Sequence, residues 1–241
     1  MLSNFYIEHF LDLCCYEDYL MRVDLLGKSH DDKEVLCSLP KCDNHRYIIV
    51  NGEVIWINRN GEKVENPNIT CISESAFKDG EIKSIVIPTG VKRIDQYAFC
   101  YCVGLSSVII PSGVMSIGQC AFYNCSLLTD VNIPNSVKSI GKDAFSYCGG
   151  LTSVTIPEGV TSIGDYAFYY CSRIKSVSIP DSVTSIGEYA FCYCKELKSV
   201  TIPQSVKSIG DRAFFCCDNL KFISVPSGCK VGNNAVPYLG I

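Results

Sequence analysis

The chain has 241 residues, 47% of them hydrophobic, a formal net charge of −4 and a pI near 5.4, which allows a sizeable core. The mild acidity argues against a nucleic-acid-binding protein, because such proteins carry a basic surface. No run approaches the roughly 18 apolar residues that a membrane-spanning helix needs, so we expect no membrane insertion.

The first predicted element is a helix over residues 4–26. Its apolar side chains recur at steps of three and four residues and form one stripe: Tyr6, Phe10, Leu13, Tyr16, Leu20 and Val23. Asn4 can cap the start, and Gly27 can end the helix in a left-handed conformation. Because acidic residues interrupt this stretch and no basic segment precedes it, it does not have the pattern of a signal peptide. A cytoplasmic location is therefore the default expectation.

A polar segment follows over residues 28–45 and contains His30, Cys37, Cys42 and His45. Two thiolates and two imidazoles suit tetrahedral zinc. The spacing matches no strong zinc-finger signature, however, and the chain is rich in cysteine throughout. We therefore favour chance clustering over a zinc site and predict no cofactor.

Two short apolar runs, residues 47–50 and 53–57, flank Asn51-Gly52. Asn-Gly between such runs is the strongest short-range signal for a β-hairpin. The only tryptophan, Trp56, lies in the second run. We expect it to pack against the first repeat that follows rather than to contact a ligand.

A fixed repeat then dominates the chain. Proline recurs every 23 residues, at positions 88, 111, 134, 157, 180, 203 and 226. Each unit approximates I-P-x-x-V-x-S-I-G-x-x-A-F-x-x-C-x-x-L-x-S-V-x. A constant period with constant apolar positions predicts a solenoid. Residues 71–87 already carry features of the unit, as expected for an atypical terminal repeat.

The unit over residues 151–171 shows how one coil is expected to fold. Leu151, Val154 and Ile156 point inward from a short strand that stacks in parallel on its neighbours, about 4.8 Å away. Pro157 ends the strand because it has no amide to donate. Gly164 is expected to supply a backbone conformation that other residues resist. Ala167-Phe168 predicts a tight or helical turn, with the phenylalanine in a buried column.

Cysteine occurs 16 times, and six cysteines occupy one fixed place in the repeat: Cys102, Cys125, Cys148, Cys171, Cys194 and Cys217. Reduced cysteine packs as a small hydrophobe and is among the most buried residue types. The regular placement therefore favours a column of buried thiols over a disulfide framework.

Three regions follow from these patterns. Residues 1–70 are predicted to form an N-terminal cap of helix, irregular segment and β-hairpin, and residues 71–229 the repeat solenoid. Residues 230–241 are predicted to be a C-terminal cap or a truncated end, because the period fails after Pro226. The predicted fold class is a mainly β solenoid of short parallel strands.

The recurring I-P-x-x-V-x-S-I-G-x-x-A-F-x-x-C signature resembles the BspA-like leucine-rich repeat over residues 71 to about 229. The resemblance implies a non-enzymatic solenoid that takes part in adhesion or in binding host or matrix proteins. It also implies a cell-surface or secreted location, as the alternative to the cytoplasm.

Outward positions of the repeat are the candidate partner-binding sites. The strand positions are small and polar, as in Ser153, Thr155, Ser176 and Ser178, and Lys175 and Lys198 recur beside them. Tyrosines cluster just after the buried phenylalanines, at Tyr101, Tyr123, Tyr147, Tyr169, Tyr170 and Tyr193. Tyrosine is enriched in protein-binding surfaces. The alternative is that these rings only cover the turns, and that the lysines are only solvated.

We predict no catalytic residues. All three histidines precede the solenoid, and the recurring glycines serve structure once per coil. The favoured function is a protein-binding or adhesion module whose partner the sequence does not identify. The alternative is an architectural protein that associates with copies of itself.

Overall fold

The fold is known from a computed structural model, which describes residues 37–38, 46–50, 53–57, 65 and 69–237. The predicted helix over residues 4–26 lies outside this part of the chain. So do His30, Cys42 and His45 and the side chain of Cys37, which made up the zinc set considered above.

Seventeen short strands form three sheets in the described residues. In chain order they are β1 (Cys37–Ser38), β2 (Arg46–Val50), β3 (Glu53–Ile57), β4 (Cys71–Ile72), β5 (Ser84–Val86), β6 (Arg93–Ile94), β7 (Ser107–Ile109), β8 (Ser116–Ile117), β9 (Ser139–Ile140), β10 (Ser153–Thr155), β11 (Ser162–Ile163), β12 (Ser176–Ser178), β13 (Ser185–Ile186), β14 (Ser199–Thr201), β15 (Ser208–Ile209), β16 (Phe222–Ser224) and β17 (Lys230–Val231). The sheet orders are β1-β2-β3-β5-β7, β10-β12-β14-β16 and β17-β15-β13-β11-β9-β8-β6-β4.

The predicted parallel solenoid is confirmed. Strands of successive coils pair in parallel at equivalent repeat positions, as Ser153 does with Ser176. Each coil contributes to two faces. The strand face contains β5, β7, β10, β12, β14 and β16, and the second face contains the eight-stranded sheet that begins at β4 and ends at β17.

A phenylalanine column fills the centre of the coils. Neighbouring rings are parallel or nearly so, with centroids 5.0–5.4 Å apart. The column consists of Phe77, Phe99, Phe122, Phe145, Phe168, Phe191 and Phe214, all of which are buried. Valine, isoleucine and leucine from both faces complete one continuous core. Since each ring packs on the rings above and below, the coils stabilise one another.

The turns around the phenylalanines are tight, and no helix occurs among the described residues. Fifteen non-glycine residues have positive φ, in the turns around the phenylalanines and in the equivalent turn near Asn234, and Tyr147 at 60° and Tyr170 at 57° are among them. This left-handed conformation costs roughly 1–2 kcal/mol per residue. It also turns the amides toward the next coil, so that Tyr147 N donates to Tyr169 O at 2.7 Å and Phe145 N to Ala167 O at 2.8 Å. These hydrogen bonds between coils offset the strain.

The role predicted for Gly164 was wrong. Among the glycines in the described residues only Gly228 has a positive φ, so Gly164 does not supply an unusual conformation. The glycine is needed because the coils approach closely, and an added Cβ would lie 2.9 Å from Gly141 C. Gly187 is tighter still, with 2.5 Å from the added Cβ to Asp165 N.

The predicted hairpin is confirmed by the antiparallel pairing of β2 with β3, in which Val50 lies opposite Glu53. β3 also pairs in parallel with β5 of the first repeat. Trp56 is 5% exposed, and its ring meets that of Phe77 edge to face at 6.2 Å. The tryptophan therefore packs against the first repeat, as predicted. The assignment of residues 1–70 as a cap stays a prediction.

Candidate functional site

The strand face presents the outward positions that the sequence predicted. Its strands alternate exposed, buried and exposed residues, as in Ser153, Val154 and Thr155. Ser176 and Ser178 are likewise exposed, and so are Lys175 and Lys198. The face is apolar at two places that the repeat consensus did not indicate. Val86 and Ile109 lie side by side and are 61% and 57% exposed, and Phe222 at the other end is 74% exposed.

The strand face is also interrupted, contrary to the expectation of one strand in every repeat. Residues 129–133 form no strand, so the sheet that ends at β7 is separate from the sheet that begins at β10. Asp130 and Asn132 occupy outward positions that hold serine and threonine in the next coil. Aspartate and asparagine disfavour strands, because their side chains compete for nearby backbone groups. This signal was visible in the sequence and was missed.

A cleft of about 360 Å³ opens at the interruption. Its walls are residues 106–110 and residues 129–132, which do not pair with each other, and it is lined by Ser106, Ser107, Val108, Ile109, Ile110, Thr129, Asp130 and Asn132. The second face stays closed at the same coils, where Ile117 pairs with Ile140. The rings of Phe122 and Phe145 stay stacked at 5.1 Å. The opening is therefore confined to the strand face.

The six tyrosines predicted to bind a partner lie together, and we call Tyr101, Tyr123, Tyr147, Tyr169, Tyr170 and Tyr193 the tyrosine edge. Each ring is half-buried and contacts at least one other ring of the edge. Tyr147 and Tyr170, one coil apart, stack with centroids 5.3 Å apart. Both the binding role and the packing role considered above are compatible with this arrangement.

Two further tyrosines extend this surface, and sequence reasoning missed them. Tyr166 and Tyr189 stack at 4.7 Å, and both contact Tyr169. Cations cover the outer faces of this pair, with Lys142 Nζ 5.7 Å from the Tyr166 centroid and the Arg212 guanidinium 5.5 Å from that of Tyr189. Arg212 also donates a hydrogen bond to the Tyr189 hydroxyl. Tyrosine recurs two residues before the buried phenylalanine, which was the available signal.

Two phenol groups at this surface, those of Tyr123 and Tyr166, hold their protons more strongly than a free tyrosine does, because their pKa values are raised. Burial, followed by the neighbouring Tyr189 phenol and then nearby carboxylates, raises the pKa of Tyr166 to about 12. Burial also raises the pKa of Tyr123 above its usual value. These two side chains therefore offer hydroxyl groups and aromatic carbon rather than phenolate charge, which suits contact with another protein.

The six cysteines of the repeat form a buried column. Each thiol donates to the carbonyl of a phenylalanine in the preceding coil, as Cys171 Sγ does to Phe145 O at 3.1 Å. Burial raises the pKa of Cys102 and of Cys217 to about 12. Protonated thiols are poor nucleophiles and poor metal ligands. In the part of the chain that the structure describes, no group of histidine, cysteine and acidic side chains is arranged to hold a metal ion.

A shallow groove of about 640 Å³ follows the second face from Lys142 to Lys230. Its floor is the row of closely approached glycines, including Gly164 and Gly187. Asp165 Oδ1 accepts the backbone amide of Glu188 at 2.8 Å, so this carboxylate holds the next coil. The contacts between coils therefore account for the residues that line this groove.

Among the described residues, no helix has the length and apolar character that crossing a bilayer requires.

A search of curated proteins found no match. The chain is similar to three solved leucine-rich repeat proteins. It shares 29% identity with one from Bacteroides ovatus, at a TM-score of 0.69 over 85% of this chain and 55% of that one. It shares 31% identity with a leucine rich cell surface protein from Faecalibacterium prausnitzii, at a TM-score of 0.60 over 77% of this chain and 55% of that one.

The third, from T. pallidum, is 25% identical, with a TM-score of 0.52 over 77% of this chain and 82% of that one. The chain thus spans about half the length of the first two relatives. The family model described as "BspA type Leucine rich repeat region (6 copies)" matches residues 70–172 and 116–237. These matches include the strand face, the phenylalanine column and the tyrosine edge. The chain therefore belongs to the BspA-type leucine-rich repeat family.

Proposed function

We propose that this chain is a protein-binding module that contacts its partner through the tyrosine edge and the strand face. One observation carries the proposal: six tyrosines from five coils form a continuous, half-exposed aromatic surface on the repeat scaffold. Tyrosine gives a large amphipathic contact area with little loss of side-chain entropy. Ser153, Thr155, Ser176, Ser178, Lys175 and Lys198 supply polar contacts on the strand face.

A pull-down with a triple variant tests the tyrosine edge. Tyr147→Asn, Tyr170→Asn and Tyr193→Asn remove three rings, and Asn124 already occupies the equivalent left-handed position in another coil. We expect the folded variant to lose most of the partner that the wild type captures. Tyr97→Asn is the matched control, because Tyr97 also has a positive φ but lies outside the edge. Undiminished capture by the folded triple variant would exclude the tyrosine edge as the binding surface.

An adhesion role at the cell surface is the finer form of the proposal. Its support is the resemblance to the F. prausnitzii protein, which is described as a cell surface protein. Fractionation of the native cells tests it directly. Native protein confined to the cytosol would contradict adhesion and would support an intracellular adaptor.

Self-association is the second candidate function, and the coil that contains β16 and β17 favours it. Phe222 and Val231 are 74% and 44% exposed there, on the strand face and the second face. Light scattering of the purified chain over a range of concentrations distinguishes this candidate from the first. A mass that stays monomeric at high concentration argues against self-association, whereas a rise that Phe222→Ser abolishes supports it.

A further inference from the structure

The interruption of the strand face leaves acceptor groups without their usual partners. In the other coils the carbonyl before the strand accepts an amide of the next coil, as Lys83 O accepts Ser106 N at 2.9 Å and Thr152 O accepts Lys175 N at 2.9 Å. The carbonyl of Ser106 accepts no backbone amide. No backbone hydrogen bond joins residues 106–110 to residues 129–133, which all lie in the described part of the chain. A backbone carbonyl without a protein partner is an open hydrogen-bond acceptor.

The side chains around the cleft add further acceptors and one charge. Asp130 is the only charged residue that lines the cleft. Asn132 contributes an amide oxygen, and Thr129 contributes a hydroxyl group. The site therefore has a net negative charge with no lining cation to neutralise it. A positively charged group rich in hydrogen-bond donors would be complementary.

One wall of the cleft is apolar. Ile109 lines it and is 57% exposed, and Val86 lies beside Ile109 on the neighbouring strand. An exposed pair of branched aliphatic side chains gains free energy when a partner covers it. The complementary group should thus carry an aliphatic stem behind its charged end.

We propose that this cleft receives an arginine side chain of the protein partner. The guanidinium has five N–H donors in a planar fork, no acceptor and a permanent positive charge. It would meet the Asp130 carboxylate, the Ser106 carbonyl and the Asn132 amide oxygen, while its methylene stem packs against Ile109. Arginine is also enriched in the energetically dominant parts of protein interfaces. The proposal rests on the proposed function and specifies the chemistry of the partner at the strand face.

A lysine fits the same cleft less well. Its ammonium is a compact and strongly hydrated charge, whereas the acceptors here belong to two separate segments of the chain. A planar fork can reach acceptors on both sides of an opening, and it loses less hydration when it enters. We therefore expect arginine to bind more tightly than lysine.

The test is a titration of the ¹⁵N-labelled chain followed by amide chemical shifts. The probes are the blocked amino acids N-acetyl-arginine methylamide, N-acetyl-lysine methylamide and N-acetyl-citrulline methylamide. Citrulline has nearly the shape of arginine without its charge. We expect saturable shifts in residues 106–110 and 129–132 with the arginine probe, weaker ones with lysine and none with citrulline.

Two variants locate the binding. Asp130→Asn keeps the shape of the side chain and removes its charge, and it should raise the apparent Kd about tenfold, the equivalent of roughly 1.4 kcal/mol. Asp181→Asn is the matched control, because it removes an exposed carboxylate outside the cleft. Ile109→Thr should weaken binding through the lost contact with the stem.

The outcomes distinguish failure of the arginine site from failure of the tyrosine edge. Absent or unsaturable shifts, equal shifts with citrulline, or an Asp130→Asn variant that binds as well as the wild type would each overturn the arginine site. Because these probes are small molecules, such a result leaves the tyrosine pull-down unaffected. Conversely, an arginine site could be found even if the tyrosine edge proves to be purely structural.

Discussion

Cys148 Sγ donates a hydrogen bond to Phe122 O, 3.0 Å away in the preceding coil. The same carbonyl accepts the amide of Cys125 at 3.2 Å, so the thiol engages its second lone pair. This contact recurs once per coil and ties the cysteine column to the phenylalanine column. It explains why a small residue with a weak donor suits the position better than alanine does.

The reactivity of the thiols should follow their burial. Cys216 and Cys217 are adjacent, but Cys217 is 3% exposed and burial raises its pKa to about 12, whereas Cys216 is half-buried. We expect iodoacetamide at pH 8 to modify Cys216 well before Cys217, as peptide mass spectrometry after short reaction times would show. Comparable rates in the folded protein would contradict the buried placement, and a sample unfolded in urea serves as the control.

Stability should fall in alkaline solution because the buried thiol of Cys102 keeps its proton more strongly in the folded chain than in the unfolded one. The pKa of Cys102 rises from an ordinary value near 9.0 to about 12 in the folded chain, chiefly through burial. The unfolded chain therefore loses this proton first, and between these two pH values the folded state binds more protons. The contribution of the Cys102 thiol to the free energy of unfolding is complete below about pH 9 and declines by about 1.4 kcal/mol per pH unit above it.

Urea unfolding between pH 7 and pH 10.5 measures this decline. Cys102→Ala should reduce the slope of the free energy of unfolding against pH by the equivalent of about one proton relative to the wild type, although it lowers stability at pH 7. A Cys102→Ala chain with the wild-type slope would show that the buried thiol does not govern alkaline unfolding.

The phenylalanine column should dominate the energetics of the core. Phe168 is completely buried between Phe145 and Phe191. Its replacement by alanine should reduce the free energy of unfolding by about 3–5 kcal/mol. Phe222→Ala is the matched control at an exposed position and should change stability by less than about 0.5 kcal/mol. Equal costs in denaturant unfolding would contradict the column as the main source of stability.

Glycine substitutions should separate crowding from backbone conformation. A Cβ at Gly187 would meet Asp165 N at 2.5 Å, so Gly187→Ala must displace a neighbouring coil and should cost at least about 1–3 kcal/mol. At Gly149 the nearest atom would lie 3.9 Å away, so Gly149→Ala should be neutral or slightly stabilising. Thermal unfolding of both variants provides the comparison, and a harmless Gly187→Ala would refute the close approach of the coils.

The repeat made the regular parts of this fold predictable from sequence. Phe168 recurs at a fixed place, so its burial follows from the period alone. The role of Gly187 was not predictable, because crowding between coils depends on how closely the coils stack. Tyr166 was missed although tyrosine recurs at its place in the repeat, and its stacking on Tyr189 and its contact with Lys142 depend on the neighbouring coils.

The cleft should close when its sequence is returned to the repeat consensus. Asp130→Ser and Asn132→Thr give this coil the residues that Ser153 and Thr155 provide in the next one, and these favour a strand. The double variant should gain about 1 kcal/mol, because hydrogen bonds replace the open backbone groups between residues 106–110 and 129–133. Hydrogen exchange would then slow at the amides of Val108 and Asn132. Exchange as fast as in the wild type would mean that the interruption does not arise from these two side chains. If the strands do pair, the arginine probe should no longer shift the amides that line the cleft.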